Sequence, residues 1–381
     1  MNARDDRLRI GIACWPTYGG SGVLATELAI ALADEGHEVH LLSYEAPIRL
    51  PEFRGNLFYH RVGVPEYPLF KYPPYALALA TRMAEVAEQH RLDLIHAHYA
   101  IPHSVSAILA RDMVGRHLKV ITTLHGTDIT IVGNDSSYSR ITRYSIDRAD
   151  GVTAVSAWLA EETRRTFGTT REIVEIPNFV DLDRFSARPC AQAQALKRGD
   201  EPLLMHVSNF RRVKRVTELV EAFAAVVATD PARLVMVGDG PELGRAERLA
   251  SELGVADRIH FLGSQDAVEK ILPCADLFLL PSRFESFGLA ALEAMACGVP
   301  VLASRAGGLP ELVEEGETGG LFDLEVPGDL ATKLRAMLRQ PERLAAMGHE
   351  ARRRAEERYA LPRVLPRYVD LYRSVMDQPA G

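Results

Sequence analysis

The chain has few cysteines, no long apolar segment and no excess of positive charge, and each of these absences excludes a class of protein. The cysteines are scattered, without a C-x-x-C pair or a metal-type cluster, as expected of a protein in a reducing cytoplasm. They are Cys14, Cys190, Cys274 and Cys297. No apolar run approaches the roughly 18 residues of a membrane span, and the N-terminus lacks the apolar core of a signal peptide. The net charge of −7 does not favour binding to nucleic acid or to an anionic membrane.

The 381 residues are enough for two domains, each with its own hydrophobic core. In both halves short apolar segments alternate with amphipathic ones, starting at residues 8–14 and again at 203–207. Short buried strands separated by helices predict a parallel, doubly wound sheet in each half. The turn-rich residues 177–202 are the predicted linker, and residues 327–348 are predicted to form one helix. Ligands of such sheets bind at the carboxyl ends of the strands, so the predicted site faces a cleft shared by the two domains.

The most informative pattern is F-E-S-F-G-L-A-A-L-E-A-M-A-C-G-V-P-V at residues 284–301. Glu285 precedes a short flexible run, after which a helix with one apolar face is predicted until Gly298 and Pro300 end it. A loop before a helix suits a phosphate, because the first N–H groups of a helix are free and carry partial positive charge. Glu293 lies inside this predicted helix, eight residues after Glu285.

Two interpretations of this glutamate pair stay open on the residues alone. If both residues were helical they would lie roughly 12 Å apart, because a helix rises about 1.5 Å per residue. That is wider than the roughly 5 to 9.5 Å between the carboxylates of glycoside hydrolases. Glu285 and Glu293 are then either two carboxylates that bind hydroxyl groups along one long ligand, or solvated residues at a helix start and on its polar face.

The motif resembles the E-x7-E signature of the family-4 retaining glycosyltransferases, a group with the GT-B fold. The resemblance implies an α/β protein of two facing, doubly wound (Rossmann-like) domains with the active site in the cleft between them. It also implies that Glu285 contacts hydroxyls of the donor sugar and that Glu293 binds the nucleotide ribose. The backbone N–H groups that would approach the donor phosphate and sugar belong to Ser286, Phe287, Gly288 and Leu289.

A glycine-rich loop, G-G-S-G at residues 19–22, opens the first predicted helix but lacks the G-x-G-x-x-G pattern of dinucleotide-binding folds. Its small residues let the backbone approach an anion, although a plain tight turn would use the same residues. The resemblance implies that Gly20 lines the donor phosphate and that Ser21 and Gly22 lie on the acceptor side.

Two histidine patterns compete for a role near the strand ends. His125, in T-L-H-G-T-D, exchanges a proton near neutral pH when unperturbed, and is either a catalytic group or a satisfied loop residue. The resemblance places a histidine here against the donor sugar, so His125 is predicted to bond a sugar hydroxyl and to orient the reacting centre. His96 and His98 point the same way on a predicted strand, but no third ligand is evident and no metal site is predicted.

The basic cluster S-N-F-R-R-V-K-R at residues 208–215 follows the first strand of the second half. Such a cluster is commonly a solvated helix start, but at a strand end it suits a diphosphate, with Lys as a point charge and Arg as a fork. The family typically has Arg five residues before its phosphate-binding Lys; Lys214 matches that Lys, whereas Asn209 stands at the Arg position. Arg211 is the candidate replacement, for either the diphosphate or an acceptor carboxylate. Ser264 lies in a loop that resembles the base-contacting loop of the family.

Further strings, among them F-K-Y-P-P-Y, H-A-H-Y-A-I-P-H and T-L-H-G-T-D-I-T, resemble one subgroup of this family over essentially the whole chain. That subgroup moves GlcNAc from UDP-GlcNAc to the hydroxyl of L-malate with retention of the α configuration, as the first step of bacillithiol synthesis. The resemblance implies a cytoplasmic, metal-independent enzyme without a cofactor, in a family where homodimers are common. The implied acceptor contacts are the N–H groups of residues 20–22 and the side chains of Ser21, Tyr99, Thr123 and Arg211.

Other functions on the same fold stay open. They are transfer to another acceptor, such as an inositol phosphate or a lipid headgroup, a nucleotide-sugar epimerase, and a non-catalytic UDP-sugar sensor. A lipid acceptor calls for an exposed basic and apolar face, which the sequence does not show. The predicted acceptor-side domain is 1–180, with a C-terminal helix at about 361–381 that packs back on it as in GT-B folds, and the predicted donor domain is 181–360.

Overall fold

The computed structural model of the protein describes residues 7–16, 20–50, 53–64, 71–115, 117–130, 132–133, 135–190 and 196–378. The chain divides into two compact units. The first comprises Met1–Pro177 and Val364–Gly381, and the second comprises Asn178–Arg363. The division predicted from the sequence falls at residues 180 and 360, close to the observed limits at 177 and 363.

A parallel sheet of seven strands forms the centre of the first unit, in the order β3-β2-β1-β4-β5-β6-β7. The strands are β1 (Arg9–Ala13), β2 (Glu38–Ser43), β3 (Leu57–Arg61), β4 (Leu94–His98), β5 (Lys119–Leu124), β6 (Gly151–Ala154) and β7 (Val174–Glu175). The helices that precede the second unit are α1 (Gly20–Asp34), α2 (Tyr75–His90), α3 (Val105–Val114), α4 (Thr127–Thr130), α5 (Ser139–Arg148) and α6 (Ala157–Phe167). The central strands β4 and β5 are buried at every residue, as expected where helices cover both faces of a parallel sheet.

A parallel sheet of six strands forms the centre of the second unit, in the order β10-β9-β8-β11-β12-β13. The strands are β8 (Leu203–Val207), β9 (Arg233–Val237), β10 (Ile259–Phe261), β11 (Leu277–Leu280), β12 (Val301–Ser304) and β13 (Gly319–Phe322). The helices are α7 (Val216–Val227), α8 (Leu243–Glu252), α9 (Leu289–Ala296), α10 (Leu309–Leu312), α11 (Asp329–Leu338) and α12 (Pro341–Arg354). The single helix predicted for residues 327–348 is wrong. Two helices meet at Pro341, because proline lacks the N–H that a helix interior needs but fits a first turn.

Both sheets have the strand order of a doubly wound nucleotide-binding fold, so the predicted fold class is confirmed for each unit. Parallel strands place all their carboxyl ends, and the loops that follow them, at one edge of the sheet. The predicted position of the active site relative to both units stays a prediction. Among the described residues, no helix combines the length and the apolar character that crossing a bilayer requires.

The predicted linker is packed in part, with buried residues between stretches that are exposed. Phe185 is buried in the second unit, and Cys190 forms a disulfide with Cys274, their Cα atoms 4.9 Å apart. The scattered cysteine spacing did not predict this pair, because 84 residues separate the two positions and only the fold brings them together. Cys14 and Cys297 are free and buried, and burial raises the pKa of each thiol to about 12.

The C-terminal helix, α13 (Leu361–Met376), completes the first unit from Val364 onwards. Its Tyr372 is fully buried, and the Tyr372 hydroxyl lies 2.8 Å from Nδ1 of His96 on β4. Nε2 of His96 lies 2.7 Å from the Thr123 hydroxyl on β5, which in turn lies 2.7 Å from the Thr153 hydroxyl on β6. Burial lowers the pKa of His96 to about 3, so the ring is neutral and joins this chain with one donor and one acceptor nitrogen. The helix is thereby tied to three adjacent strands through polar groups.

Removal of the Tyr372 hydroxyl should destabilise the protein measurably. In Tyr372→Phe a buried imidazole nitrogen loses its partner, which costs about 1 to 3 kcal/mol of unfolding free energy. Urea denaturation followed by circular dichroism checks this value. Tyr138→Phe, at a tyrosine that is 49% exposed, is the matched control and should stay within about 0.5 kcal/mol of wild type. Equal denaturation midpoints for Tyr372→Phe and wild type would show that the Tyr372 hydroxyl contributes nothing to stability.

Candidate active site

In the second unit, two of the predicted motifs occupy neighbouring loops. Residues 208–215 follow β8 and residues 281–288 follow β11, and these two strands are adjacent in the sheet. The backbone N–H of Arg283 donates to the carbonyl oxygen of Val213 at 2.7 Å and so joins the two loops. The basic cluster and the first glutamate of the E-x7-E motif therefore lie together at the carboxyl edge of one sheet.

The joined loops hold an ion pair between Lys214 and Glu285. The Lys214 ammonium group donates to Oε2 of Glu285 at 2.6 Å, and the two side chains are only 19% and 15% exposed. Lys214 ends a short 3₁₀ turn, and its backbone N–H donates to the carbonyl oxygen of Arg211 at 2.8 Å. The sequence predicted sugar contacts for Glu285 and phosphate contacts for Lys214. Their direct contact means that a ligand with a sugar next to a phosphate can meet both charges at once.

Glu285 lies before helix α9 and not within it. The helix begins at Leu289 after Gly288, whose φ of +97° is a left-handed conformation that favours glycine. A Cβ atom on Gly288 would also lie 2.6 Å from Cδ2 of Leu309. The condition behind the estimate of roughly 12 Å, that both glutamates are helical, is not met, because only Glu293 lies in the helix.

The start of α9 presents the backbone groups that the sequence predicted for a phosphate. Ser286 is half-buried, while Phe287 is buried with its ring edge-on to Tyr359 at a centroid distance of 5.6 Å. The helix has eight residues, and Glu293 is half-buried at its fifth position. The N–H groups of its first turn have no acceptor within the helix, which makes them available to an anion.

Glu285 is also held through its backbone by a glycine pair that the sequence reasoning missed. The N–H of Gly308 donates to the carbonyl oxygen of Glu285 at 2.9 Å. Gly307 has a φ of +60°, and a Cβ atom there would lie 1.9 Å from the same carbonyl oxygen. The G-G dipeptide at this position is a turn signal that pointed to such a close approach.

Three further predicted residues of the second unit lie on loops at the same edge. Asn209 and Arg211 are exposed in the loop after β8, and Ser264 is exposed in the loop after β10. The carbonyl oxygen of Asn209 lies against Gly240, where a Cβ atom would come within 2.2 Å of it. The side chains of Asn209, Arg211 and Ser264 therefore face solvent, where a ligand can reach them.

A buried histidine that was not predicted, His206, holds the start of the basic loop by hydrogen bonding. Nδ1 of His206 on β8 lies 2.8 Å from the carbonyl oxygen of Leu279, to which it donates. Nε2 then accepts from the Ser208 hydroxyl at 2.8 Å, and the Ser208 oxygen accepts from the N–H of Phe210 at 3.3 Å. Burial lowers the pKa of His206 to about 4, so the ring stays neutral and keeps these roles. A histidine inside the apolar segment L-L-M-H-V was the only signal in the sequence.

In the first unit, the structure brings together Ser21, Tyr99 and His125. The hydroxyl groups of Ser21 and Tyr99 lie 2.7 Å apart, and the rings of Tyr99 and His125 are 5.0 Å apart. Tyr99 follows β4 with a φ of +88°, and its backbone N–H donates to the carbonyl oxygen of Thr123 at 2.9 Å. The first turn of α1 and the loops after β4 and β5 thus contribute to one polar cluster at the carboxyl edge of the first sheet.

The glycine-rich segment contributes Ser21 to this cluster. Helix α1 already begins at Gly20, which is exposed, and Gly22 is buried in its first turn, while Gly19 lies outside the described residues. The residues predicted as a loop therefore form the first turn of the helix, where N–H groups have no intrahelical acceptor.

His125 is held in place by Asp128, which the sequence reasoning did not single out. The buried Asp128 carboxylate accepts from the backbone N–H groups of Gly126 at 2.9 Å, His125 at 3.2 Å and Ala100 at 2.9 Å. Burial raises the pKa of Asp128 to about 6, although these N–H groups oppose the shift. The motif H-G-T-D carried the signal, because Asp commonly accepts from nearby backbone N–H groups in turns.

The expectation that His125 exchanges a proton near neutral pH is wrong. Burial lowers the pKa of His125 to about 3, and Nε2 of His125 lies 2.9 Å from Nδ1 of the buried His98. A neutral imidazole can orient a hydroxyl through a hydrogen bond, but it is not a proton reservoir at pH 7.

Thr123 does not fit its predicted role as a direct acceptor contact. Its side chain is fully buried, and its hydroxyl is committed to His96 and Thr153 at 2.7 Å each. The contribution of Thr123 to the cluster is its carbonyl oxygen, which positions Tyr99.

Comparison with known proteins identifies the family. The model for Glycosyltransferase Family 4 matches residues 18–184, and the model for Glycosyl transferases group 1 matches residues 188–354. The N-acetyl-alpha-D-glucosaminyl L-malate synthase of Bacillus anthracis is 43% identical over 97% of this chain and 98% of its own length. The chain belongs to the family-4 GT-B glycosyltransferases. It is therefore a transferase.

Two further similarities show the breadth of this glycosyltransferase family and its fold. The D-inositol 3-phosphate glycosyltransferase of Rhodococcus opacus is 32% identical, over 89% of this chain and 82% of that protein. The sucrose-phosphate synthase of Thermosynechococcus elongatus has a similar structure, with a TM-score of 0.85 and 24% identity over 97% of this chain and 99% of that one. The names of the two sequence relatives specify different acceptors, L-malate and D-inositol 3-phosphate, whereas the sucrose-phosphate synthase shows a shared fold.

Substitution of Gly307 tests how tightly this glycosyltransferase holds Glu285. In Gly307→Ala the new methyl group collides with the Glu285 carbonyl oxygen, so the backbone must move. The alanine must also adopt a positive φ, which is strained for any residue with a side chain. We expect a loss of about 2 to 4 kcal/mol in unfolding free energy, from left-handed strain of about 1 kcal/mol plus overpacking of about 1 to 3 kcal/mol. Chemical denaturation measures it.

Gly328→Ala is the matched control for this prediction. Gly328 also has a positive φ, +78°, but a Cβ atom there meets nothing within 4 Å. It should lose only the strain of about 1 kcal/mol. If both variants lose the same amount, the close approach to Glu285 does not constrain the loop.

Proposed function

We propose that the protein transfers GlcNAc from UDP-GlcNAc to the hydroxyl group of L-malate, with retention of the α configuration, as the first step of bacillithiol synthesis. The observation that carries the proposal is the contact between Lys214 and Glu285 beside the start of helix α9. The contact places the Lys214 ammonium group, which can bind a diphosphate, next to the Glu285 carboxylate, which can accept hydrogen bonds from sugar hydroxyls. The name of the Bacillus anthracis relative, at 43% identity over 97% of the chain, supports the choice of donor and acceptor.

The second unit binds the donor in this proposal. Lys214 and the N–H groups of residues 286–289 stabilise the negative charge of the diphosphate. This matters because the site is partly buried, so water compensates that charge less than in bulk solvent. Glu285 accepts from hydroxyls of the GlcNAc ring, and Glu293 accepts from the ribose. Asn209 and Ser264, both exposed on loops at the same sheet edge, contact the nucleotide end of the donor.

The first unit binds the acceptor. L-Malate carries two carboxylates, which need fixed donors, and a hydroxyl, which must be oriented. Such hydrogen-bond donors are the first-turn N–H groups of residues 20–22 and the paired hydroxyls of Ser21 and Tyr99. The neutral His125 beside Tyr99 orients a sugar hydroxyl by hydrogen bonding. Arg211 serves either the diphosphate or an acceptor carboxylate, and the choice is decided by whether Arg211→Ala raises the KM for donor or for malate.

The transfer step exchanges one C–O bond for another on a single face of the sugar. The bond from the anomeric carbon to the departing phosphate oxygen breaks, while the malate hydroxyl oxygen forms the new bond to that carbon. The hydroxyl proton passes to the departing phosphate oxygen, which gives UDP and GlcNAc-α-malate. No cofactor takes part and no metal ion is required, since Lys214, Arg211 and the backbone of residues 285–289 stabilise the developing charge on the diphosphate.

A second candidate is the same transfer to an inositol phosphate. It is favoured by the Rhodococcus opacus relative, whose name specifies D-inositol 3-phosphate and which is 32% identical to this chain. A phosphate monoester would use the same first-turn N–H groups that the proposal gives to a malate carboxylate.

Release of UDP from UDP-GlcNAc should depend on L-malate. Purified protein is assayed with EDTA present throughout, with L-malate, inositol 3-phosphate, free inositol or glycerol as acceptor. Charged contacts worth about 1.5 to 3 kcal/mol each should make turnover with L-malate at least about 100-fold faster than with glycerol or free inositol. Proton NMR of the product should show the small anomeric coupling of an α linkage.

The outcomes separate the candidates. Turnover with inositol 3-phosphate but not with L-malate assigns the second candidate and rejects the first. UDP release that needs no acceptor excludes a transferase mechanism of the proposed kind. Loss of all activity in EDTA, restored by added Mg²⁺ or Mn²⁺, contradicts metal independence.

The two glutamates of the motif should differ in their kinetic effects. Glu293→Ala leaves ribose hydroxyls without an acceptor, so the KM for UDP-GlcNAc should rise roughly 5- to 150-fold, which corresponds to about 1 to 3 kcal/mol. Glu285→Ala removes a contact to the reacting sugar and should lower kcat at least about tenfold. Steady-state kinetics with saturating L-malate separates the two parameters. Glu252→Ala, at an exposed residue at the end of α8, is the control and should match wild type. Wild-type kinetics in both motif variants would remove the assignment.

A further inference from the structure

A cluster of three histidines in the first unit has no role in the proposed reaction. His40 lies on β2, His60 on the edge strand β3, and His90 is the last residue of helix α2. One ring nitrogen from each lies within 4.8 Å of the other two. No metal site is predicted here from the sequence, because the three residues are 20 and 30 positions apart and follow no short ligand motif.

The three rings already lie close together. Nδ1 of His40 and Nε2 of His60 face each other at 2.9 Å. The ring centroids are 5.1 Å apart for His40 and His60, 4.3 Å for His40 and His90, and 5.4 Å for His60 and His90. Two imidazole nitrogens on one tetrahedral zinc ion lie about 3.3 Å apart, given Zn–N bonds of about 2.0 to 2.1 Å. Small ring movements therefore convert the present arrangement into a coordination shell.

A carboxylate fixes the orientation of the central ring. Nε2 of His40 lies 3.2 Å from Oε1 of Glu38, while the other oxygen of Glu38 accepts from the Arg7 guanidinium at 3.1 Å. When Nε2–H of His40 donates to Glu38, the lone pair of Nδ1 points at His60. Metal-binding histidines characteristically donate their second N–H to a carboxylate in this way, which sets the tautomer and raises the basicity of the ligating nitrogen.

We propose that this cluster binds one Zn²⁺ ion through Nδ1 of His40, Nε2 of His60 and the imidazole of His90, with water as the fourth ligand. Three neutral imidazoles suit Zn²⁺ and similar transition metals, whereas Mg²⁺ and Ca²⁺ prefer oxygen ligands. His40 is buried, whereas His60 and His90 are partly exposed, so an ion can enter from solvent. A positive charge that acts on His60, the Arg82 guanidinium, is itself paired with Glu85 at 2.9 Å.

The proposed ion has a structural consequence. It joins β2, the edge strand β3 and the end of α2, and so restrains an edge that otherwise has a sheet neighbour on one side only. Because the three ligands are distant in sequence, the unfolded chain does not present them together. Zinc binding should therefore raise the melting temperature without being needed for turnover.

Zinc titration of the tag-free, metal-stripped full-length protein tests the proposal. Calorimetry with ZnSO₄ should show one saturable site, and MgCl₂ should not compete for it. His60→Gln and His90→Gln should each weaken zinc binding at least about 100-fold, whereas Glu38→Gln, which changes only the supporting carboxylate, should lose about 10- to 100-fold. His349→Gln, at an exposed histidine of the second unit, is the matched control and should bind zinc as wild type does.

Cobalt absorption spectroscopy and circular dichroism complement the zinc titration. Co²⁺ in place of Zn²⁺ should give the visible absorption bands of a low-coordinate site in wild type and in His349→Gln, and should lose them in His90→Gln. Circular dichroism shows that each variant is folded. The proposal is overturned if wild type has no saturable zinc site, or if His60→Gln and His90→Gln bind zinc as tightly as wild type.

Discussion

The constraint on which each unit depends is that every strand of its sheet runs parallel to its neighbours. A parallel arrangement places the residues that follow each strand at one edge, so residues far apart in sequence become neighbours there. In the second unit this brings Lys214 to Glu285, although 71 residues separate them. In the first unit it brings Ser21 to Tyr99, 78 residues apart. A change in the strand order of either sheet would separate the pair that it holds together.

The two edges differ in their electrostatics. The edge of the second unit is organised around a charged pair, whose groups are partly buried and complementary to the two halves of a sugar phosphate. The edge of the first unit is organised around neutral imidazoles, because burial lowers the pKa of His96 and His125 to about 3 and that of His98 well below its usual value. Neutral rings can orient hydroxyl groups without adding charge to this edge. This difference agrees with the proposal that one unit binds a charged diphosphate and the other a hydroxyl nucleophile.

Backbone geometry supports both edges at positions where a side chain would interfere. Gly288 lets the loop before α9 pass close to Leu309. Gly307, which follows β12, lets the backbone there pass close to the Glu285 carbonyl oxygen. In the first unit the buried Asp128 holds the backbone at His125, because its carboxylate accepts hydrogen bonds from three backbone N–H groups there. The candidate side chains named from the sequence are thus held by neighbours whose contribution is structural.

The sequence by itself determined the alternation of strands and helices, the two-part organisation and the identity of the motif residues, because apolar periodicity and short motifs are local properties. It identified Glu285, Lys214 and His125, and it placed them at strand ends. Only the tertiary structure decided that His125 is neutral, that the Thr123 hydroxyl is committed to His96, that Cys190 pairs with Cys274, and that His40, His60 and His90 converge. Each of these depends on which strands are adjacent and how deeply a group is buried. Burial and long-range adjacency arise from packing of the whole unit, which no local stretch of the chain contains.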